Sequence, residues 1–205
     1  MIGNILHAFA EYKFLTAVLV FAAVLAVFVW IKAIRASKRH NAEREAVLAK
    51  LQKEKELRER FACLTPELVQ SADVCDLLHG VALGIQSQIE KAEDVNASFL
   101  ALSEAQQYVY ALNFVFCEDA DTLSRFFRLN GKPLTTAALD AARRTFDADT
   151  LALFETGYRM FDADDETTSS LPDDVDALDR SFSSADKTVL FDNIRKYIAE
   201  QIENI

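Results

Sequence analysis

The stretch DTLALFETGYRMF (149–161) sets Leu151, Phe154, Tyr158 and Phe161 at intervals of three, four and three. At 3.6 residues per turn these side chains fall on one stripe of a helix, and an aromatic stripe needs a core to bury it. Asp149 reads as the cap at its start. Just upstream, 136–146 repeats the pattern through Leu139, Ala142 and Phe146. Before that, Asp119 and Asp121 suit the start of a short helix carrying Leu123, Phe126 and Phe127. Asn130 and Gly131 end it and Pro133 opens the next.

Working further back, Thr65-Pro66 opens a helix with Thr as cap and Pro in the first turn. Val74, Leu77 and Leu78 give its stripe, and His79-Gly80 reads as its end. A second helix is expected over 81–92 through Val81, Ile85 and Ile89. Ser98 is expected to cap a longer one whose Phe99, Leu102, Val109, Leu112 and Phe116 share a face. Downstream of Phe161, acids, Thr, Ser and Pro172 break the period over 162–174, a loop. Val175, Leu178 and Phe182, then Leu190, Ile194, Tyr197 and Ile198, form a closing helical pair. No period-two strand and no internal repeat is seen. With 5 Gly and 3 Pro in 205 residues and 15 Phe for a dry interior, the fold class is all-α.

The N-terminal part reads differently. From 14 to 31 every residue is uncharged and only Thr16 is polar. Extended by Ala33 and Ile34, this run matches the roughly 30 Å hydrocarbon core at about 1.5 Å per residue. Tyr12 and Trp30 suit the two interfaces, and Lys13 and Lys32 can reach outward from the borders. A cleaved signal peptide fits less well, because the first ten residues hold no Lys or Arg and the apolar run is long. Lys32, Arg35, Lys38, Arg39 and Arg44 follow the run, whereas Lys13 alone precedes it. The positive-inside bias then places everything after it in the cytoplasm. The expected organisation is a flank (1–13), a transmembrane anchor (14–34), a charged helical stalk (35–62) and an acidic helical domain (63–205). The location is the cytoplasmic membrane, with a single pass. In the stalk, Val47, Leu48, Leu51 and Leu57 are too few for a sustained heptad, which leaves only weak dimerisation open. In the anchor, Ala22, Ala23 and Ala26 offer a small-residue face.

The net charge of -10 is unevenly divided. Residues 1–60 hold 11 Lys/Arg against 6 Asp/Glu, a balance of +5; residues 61–205 hold 11 against 26, a balance of -15. The first part attracts anionic headgroups. The second repels nucleic acid and favours a basic protein partner. Asp162, Asp164, Asp165, Glu166, Asp173, Asp174, Asp176 and Asp179 concentrate that charge with no Lys or Arg among them. These acids are either a docking surface or a solvated loop followed by acids that favour a helix N-terminus. A calcium loop fits poorly: Thr167 stands where Gly is required and Asp173 where Glu is.

SRFFRLNG (124–131), the Leu139-Ala142-Phe146 and Leu151-Phe154-Phe161 helices, and LPDDVDALDRSF (171–182) together resemble a bacterial helical family. It is the C-terminal domain family named after a DNA-mimic protein, and the likeness spans roughly 100–200. Members usually carry Gly-Gly-Phe before the double aromatic, where this chain has Asp121-Thr122-Leu123. The resemblance implies an acidic helical interaction domain rather than a catalyst.

Chemistry-bearing patterns are otherwise scarce. Cys63, Cys75 and Cys117 are an odd, widely spaced set, expected as buried reduced thiols. No paired histidines, Cys-His spacing, Gly-rich phosphate loop or Gly-x-Ser-x-Gly elbow is present, so no catalytic, cofactor or metal site is read. Arg125 with Arg128, and Arg143 with Arg144, read as surface partners of nearby acids, and Phe126 and Phe127 as core. The sequence therefore describes a non-enzymatic, membrane-tethered interaction module. The alternative is a small structural subunit that meets its complex through the apolar helix.

Overall fold

At Thr65, Asp73, Asp94, Ser103, Thr122, Asp147 and Asp186 a side-chain oxygen accepts amide protons that the first turn of a helix leaves over. In a computed structural model, which describes residues 13–118, 122–161 and 172–205, the described residues are helices and their connections, without strands. The all-α class holds. Two units are distinguished, Met1–Lys53 and Glu54–Ile205.

The first unit is represented by helix α1 (Lys13–Arg60), 48 residues without a break, which continues into the second. Among the described residues no helix is long and apolar enough to cross a membrane. Between 14 and 31 the described side chains are Ala17, Val18, Phe21, Ala22, Leu25, Phe28 and Trp30, all exposed. The uninterrupted apolar run is a property of the sequence, and the expected span over 14–34 rests on it. From 43 to 53 every side chain is exposed, Val47, Leu48 and Leu51 included.

The second unit begins with the last turns of α1. Its polar face holds a Lys55–Glu59 pair at 3.8 Å, and its other face sends Leu57 and Phe61 into the core. Thr65 Oγ1 then accepts from the Leu68 amide (3.2 Å), and Pro66 sits in the first turn of α2 (Pro66–Ser71). The chain does not run on to Gly80 as one helix. Ala72 is extended, and the Asp73 carboxylate accepts from the Cys75 and Asp76 amides (2.9 and 3.1 Å) to start α3 (Val74–Ile89). His79 and Gly80 lie inside α3 rather than at its end. Among the described residues no glycine has positive φ; Gly80 serves close approach instead. A Cβ there would overlap the Phe61 ring and stand 2.9 Å from the Leu57 carbonyl oxygen.

The helix expected from Ser98 to Phe116 is also split. Asp94 caps α4 (Val95–Leu100), which contains Ser98. Ser103 and Gln106 then form a reciprocal capping box on α5 (Glu104–Asn113). A π-helical turn, Phe114–Glu118, extends α5. Thr122 caps α6 (Leu123–Leu129), while Asp119 and Asp121 lie outside the described residues. Helix α7 (Leu134–Thr145) follows Pro133. Helix α8 (Ala148–Phe161) is capped by Asp147, not Asp149: its carboxylate accepts from the Asp149 and Thr150 amides at 3.1 and 3.0 Å. Those bonds, with one from the Thr150 hydroxyl, hold the Asp147 carboxyl below the usual range. Helices α9 (Pro172–Ser184) and α10 (Lys187–Glu200, capped by Asp186) close the chain with a short 3₁₀ turn, Ile202–Asn204.

Helix α5 is the hub, packed between α3 and α7; α8 packs on α6, α7 and α9, and α10 lies against α2, α3 and α7. A cluster of phenylalanines lies within the largely aliphatic interior. Phe154, fully buried, has ring centroids of Phe126, Phe127, Phe146 and Phe182 at 6.1, 5.2, 5.6 and 6.4 Å. Phe146 and Phe182 also meet Phe116, which packs against Phe191. Gly157 lets α8 sit close on α6, since a Cβ there would come within 2.8 Å of Phe127 Cε2.

Where α5 faces α10, Tyr108 packs its ring 6.1 Å from Tyr197. Burial first, and then the Glu104 carboxylate beside it, pushes the Tyr108 phenol up to about 12. Burial raises Tyr197 as well. A raised phenol favours its neutral form in the fold. That stabilisation is complete below the ordinary value near 10 and is lost as pH rises toward the folded value. Tyr108→Phe is expected to flatten the fall in melting temperature above about pH 10, read by circular dichroism. An unchanged alkaline slope would show that Tyr108 ionisation does not contribute.

Candidate functional site

Of the eight acids, Asp162, Asp164, Asp165 and Glu166 lie outside the described residues. Asp173 and Asp174 occupy the first turn of α9, where the helix dipole favours them, and both are exposed, as is Asp176. Asp179 behaves differently. Its Oδ1 accepts the Ser124 amide at 2.8 Å and its Oδ2 accepts the Ser124 hydroxyl at 2.5 Å. A carboxylate of α9 thus clamps the N-terminus of α6, 55 residues away in the chain. Asp179 is half-buried and tied into the fold by Ser124, and the outward-facing set is reduced to its neighbours. Asp179→Ala strands the amide of nearly buried Ser124 and is expected to cost about 1.5–3 kcal/mol in urea unfolding. Asp176→Asn is expected to stay within about 0.5 kcal/mol. Equal losses would contradict the distinction.

Of the interface residues expected around the anchor, Tyr12 lies outside the described residues, and Lys13, Arg35, Lys38 and Arg39 lie in α1 without described side chains. Trp30 is exposed, and Lys32 Nζ stands 5.0 Å over the Phe28 ring. The arginine pairs are engaged with the fold. Arg143 meets Asp140 and Glu155 at 3.1 and 3.3 Å, Arg144 meets Glu104 at 2.9 Å, and the Arg128 guanidinium lies 5.6 Å over Phe161. Among the described residues no group of three His, Cys, Asp or Glu is arranged to hold a metal.

Two features were not read from the sequence. One is a groove of about 230 Å³ with an aromatic wall of Phe99, Tyr110 and Phe114, whose successive ring centroids are 5.9 and 5.1 Å apart. Val95 and Leu129, both exposed, stand at its rim. Those two apolar residues outside the core stripes were its only sequence signal. The other concerns the cysteines. None of the three is buried as expected: Cys63 is exposed and Cys75 and Cys117 are half-buried. Cys75 and Cys117, 42 residues apart, are brought side to side. No linear spacing announces such a pair.

No protein-family model, curated protein or solved structure matches the chain.

Proposed function

We propose that this chain is a membrane-tethered interaction module, anchored by 14–34 and presenting an acidic helical domain to a basic protein on the cytoplasmic face. The observation that carries the reading is the charge division, +5 over residues 1–60 and -15 over 61–205. A domain so acidic is poorly suited to grip nucleic acid or anionic lipid directly, and it steers basic proteins toward itself. Tethering adds local concentration at the membrane surface. The exposed Asp173, Asp174 and Asp176 support the C-terminal part of the acidic run as the contact surface. The resemblance to the DNA-mimic family points the same way, toward a partner that ordinarily binds DNA.

The test is a pull-down with the full chain in detergent. Aspartates 162, 164, 165, 173, 174 and 176 are changed to Asn and Glu166 to Gln, with Asp179 kept so that the fold is not undermined. The expected result is a basic partner that the native chain retains, that rising salt releases, and that the neutralised variant loses at unchanged melting temperature. Retention of the same partner by that variant contradicts the proposal.

A second reading, a structural subunit held through the apolar helix, is favoured by the exposed Val18, Phe21, Leu25, Phe28 and Trp30 of α1, which call for lipid or another helix to cover them. Scrambling 14–34 at constant hydrophobicity separates the two. Loss of assembly supports the subunit, and unchanged partner capture supports the module.

A further inference from the structure

Cys75 lies in the first turn of α3, behind the Asp73 cap, and Cys117 lies in the π-helical turn that extends α5. These two elements pack together. The Cys117 thiol donates to the Cys75 carbonyl oxygen at 3.7 Å, and the Cys75 thiol donates to the Phe116 carbonyl oxygen at 3.9 Å. Each sulfur is thus laid against the backbone that carries the other or its neighbour. A π turn carries one residue more per turn than an α-helix, and such widened turns recur at functional sites. Here it brings a sulfur to α3 from an α5 stripe otherwise committed to Val109, Leu112 and Phe116 in the core. Both thiols keep partial exposure, which a purely packing cysteine does not need.

We propose that Cys75 and Cys117 form a dithiol site that exchanges with low-molecular-weight disulfides, of which oxidised glutathione is the type, and closes as an intramolecular disulfide. The Cys75 thiolate attacks one sulfur of the small disulfide. A new bond forms to Cys75, the S–S bond of the reagent breaks, and one thiolate leaves and takes up the proton that Cys75 gave up on ionising. Cys117 then gives up its proton and attacks the Cys75 sulfur of that mixed disulfide, expelling the second thiolate, which takes up a proton. Two protein thiols are oxidised by two electrons and one small disulfide is reduced to two thiols, so atoms and charge balance.

The surroundings assign the attacking role to Cys75. The Cys117 side chain beside it holds the Cys75 thiol below the ordinary value and Lys187, at the start of α10, assists; half-burial and the Asp73 and Asp76 carboxylates oppose them without prevailing. Closure ties α3 to the end of α5 across 42 residues of chain, removing freedom mainly from the unfolded state. The site requires neither the anchor nor the acidic run.

The test uses the full chain in detergent micelles, equilibrated with mixtures of oxidised and reduced glutathione, acid-quenched, alkylated and mapped by peptide mass. The expected product has lost two hydrogens and contains a peptide joining Cys75 to Cys117. Cys63 stays alkylatable or carries glutathione, and the melting temperature rises by roughly 5–15 °C. In Cys117→Ser, Cys75 is expected to accumulate as the glutathione mixed disulfide. A bridge that uses Cys63, or Cys75 and Cys117 remaining separately alkylatable across all mixtures of the native chain, overturns the proposal.

Discussion

Leu25→Arg combined with Ala22→Arg is expected to move the full chain from the membrane pellet to the soluble fraction of lysed cells. Both positions lie inside the uncharged run 14–31, near its middle. On insertion scales a central arginine costs about 2.5–3.5 kcal/mol, against a gain of about 0.3–0.6 for leucine. Two such changes remove roughly 5–7 kcal/mol from partitioning, more than a thousandfold. Folding of the second unit should be untouched, because its core begins at Leu57 and Phe61. Leu25→Ile is the matched control, expected to remain in the pellet. If the double arginine variant pellets like the native chain after a high-salt wash, 14–34 is not what holds the protein to membranes.

The second large effect is expected in the phenylalanine core. Phe154→Ala removes a fully buried ring that meets Phe126, Phe127, Phe146 and Phe182. These rings belong to α6, to the residue that ends α7 and to α9, so one truncation loosens three packed interfaces. Phenylalanine-to-alanine changes in cores cost about 3–5 kcal/mol. Phe154→Leu keeps most of the volume and is expected to cost less than half of that. Urea unfolding followed by circular dichroism reads both, and a Phe154→Ala loss below about 1 kcal/mol would mean that this cluster is not the centre of the fold.

What could be read ahead of the structure was local. The 3-4-3 stripe ending at Phe161 and the Thr65-Pro66 start carry their signal within one or two turns. They appear as α8 and α2. Errors arose where two local signals competed. Asp73 in front of Val74 is a cap, yet the stripe of Val74, Leu77 and Leu78 was joined to Pro66 across it. Asp147 caps α8 because a cap accepts from the second and third helical amides, here Asp149 and Thr150. Asp149 stands two residues too late for that role. Gly80 has the local look of a stop, although its value lies in the absence of a Cβ beneath Phe61, a tertiary fact. Asp179 and Ser124, like Cys75 and Cys117, meet across 55 and 42 residues. Acid clusters and cysteine spacings describe neighbours in sequence, and these pairs exist only once α9 lies on α6 and α3 on the turn after α5.

The proposed membrane tether and its orientation can be tested at Cys63, exposed in the turn after α1. Cells and inside-out vesicles carrying the full chain are treated with a membrane-impermeant maleimide, and the modified peptide is mapped. Cys63 is expected to be unmodified in intact cells and modified in pelleted inside-out vesicles. Modification in intact cells, or vesicles that carry no protein, would contradict it.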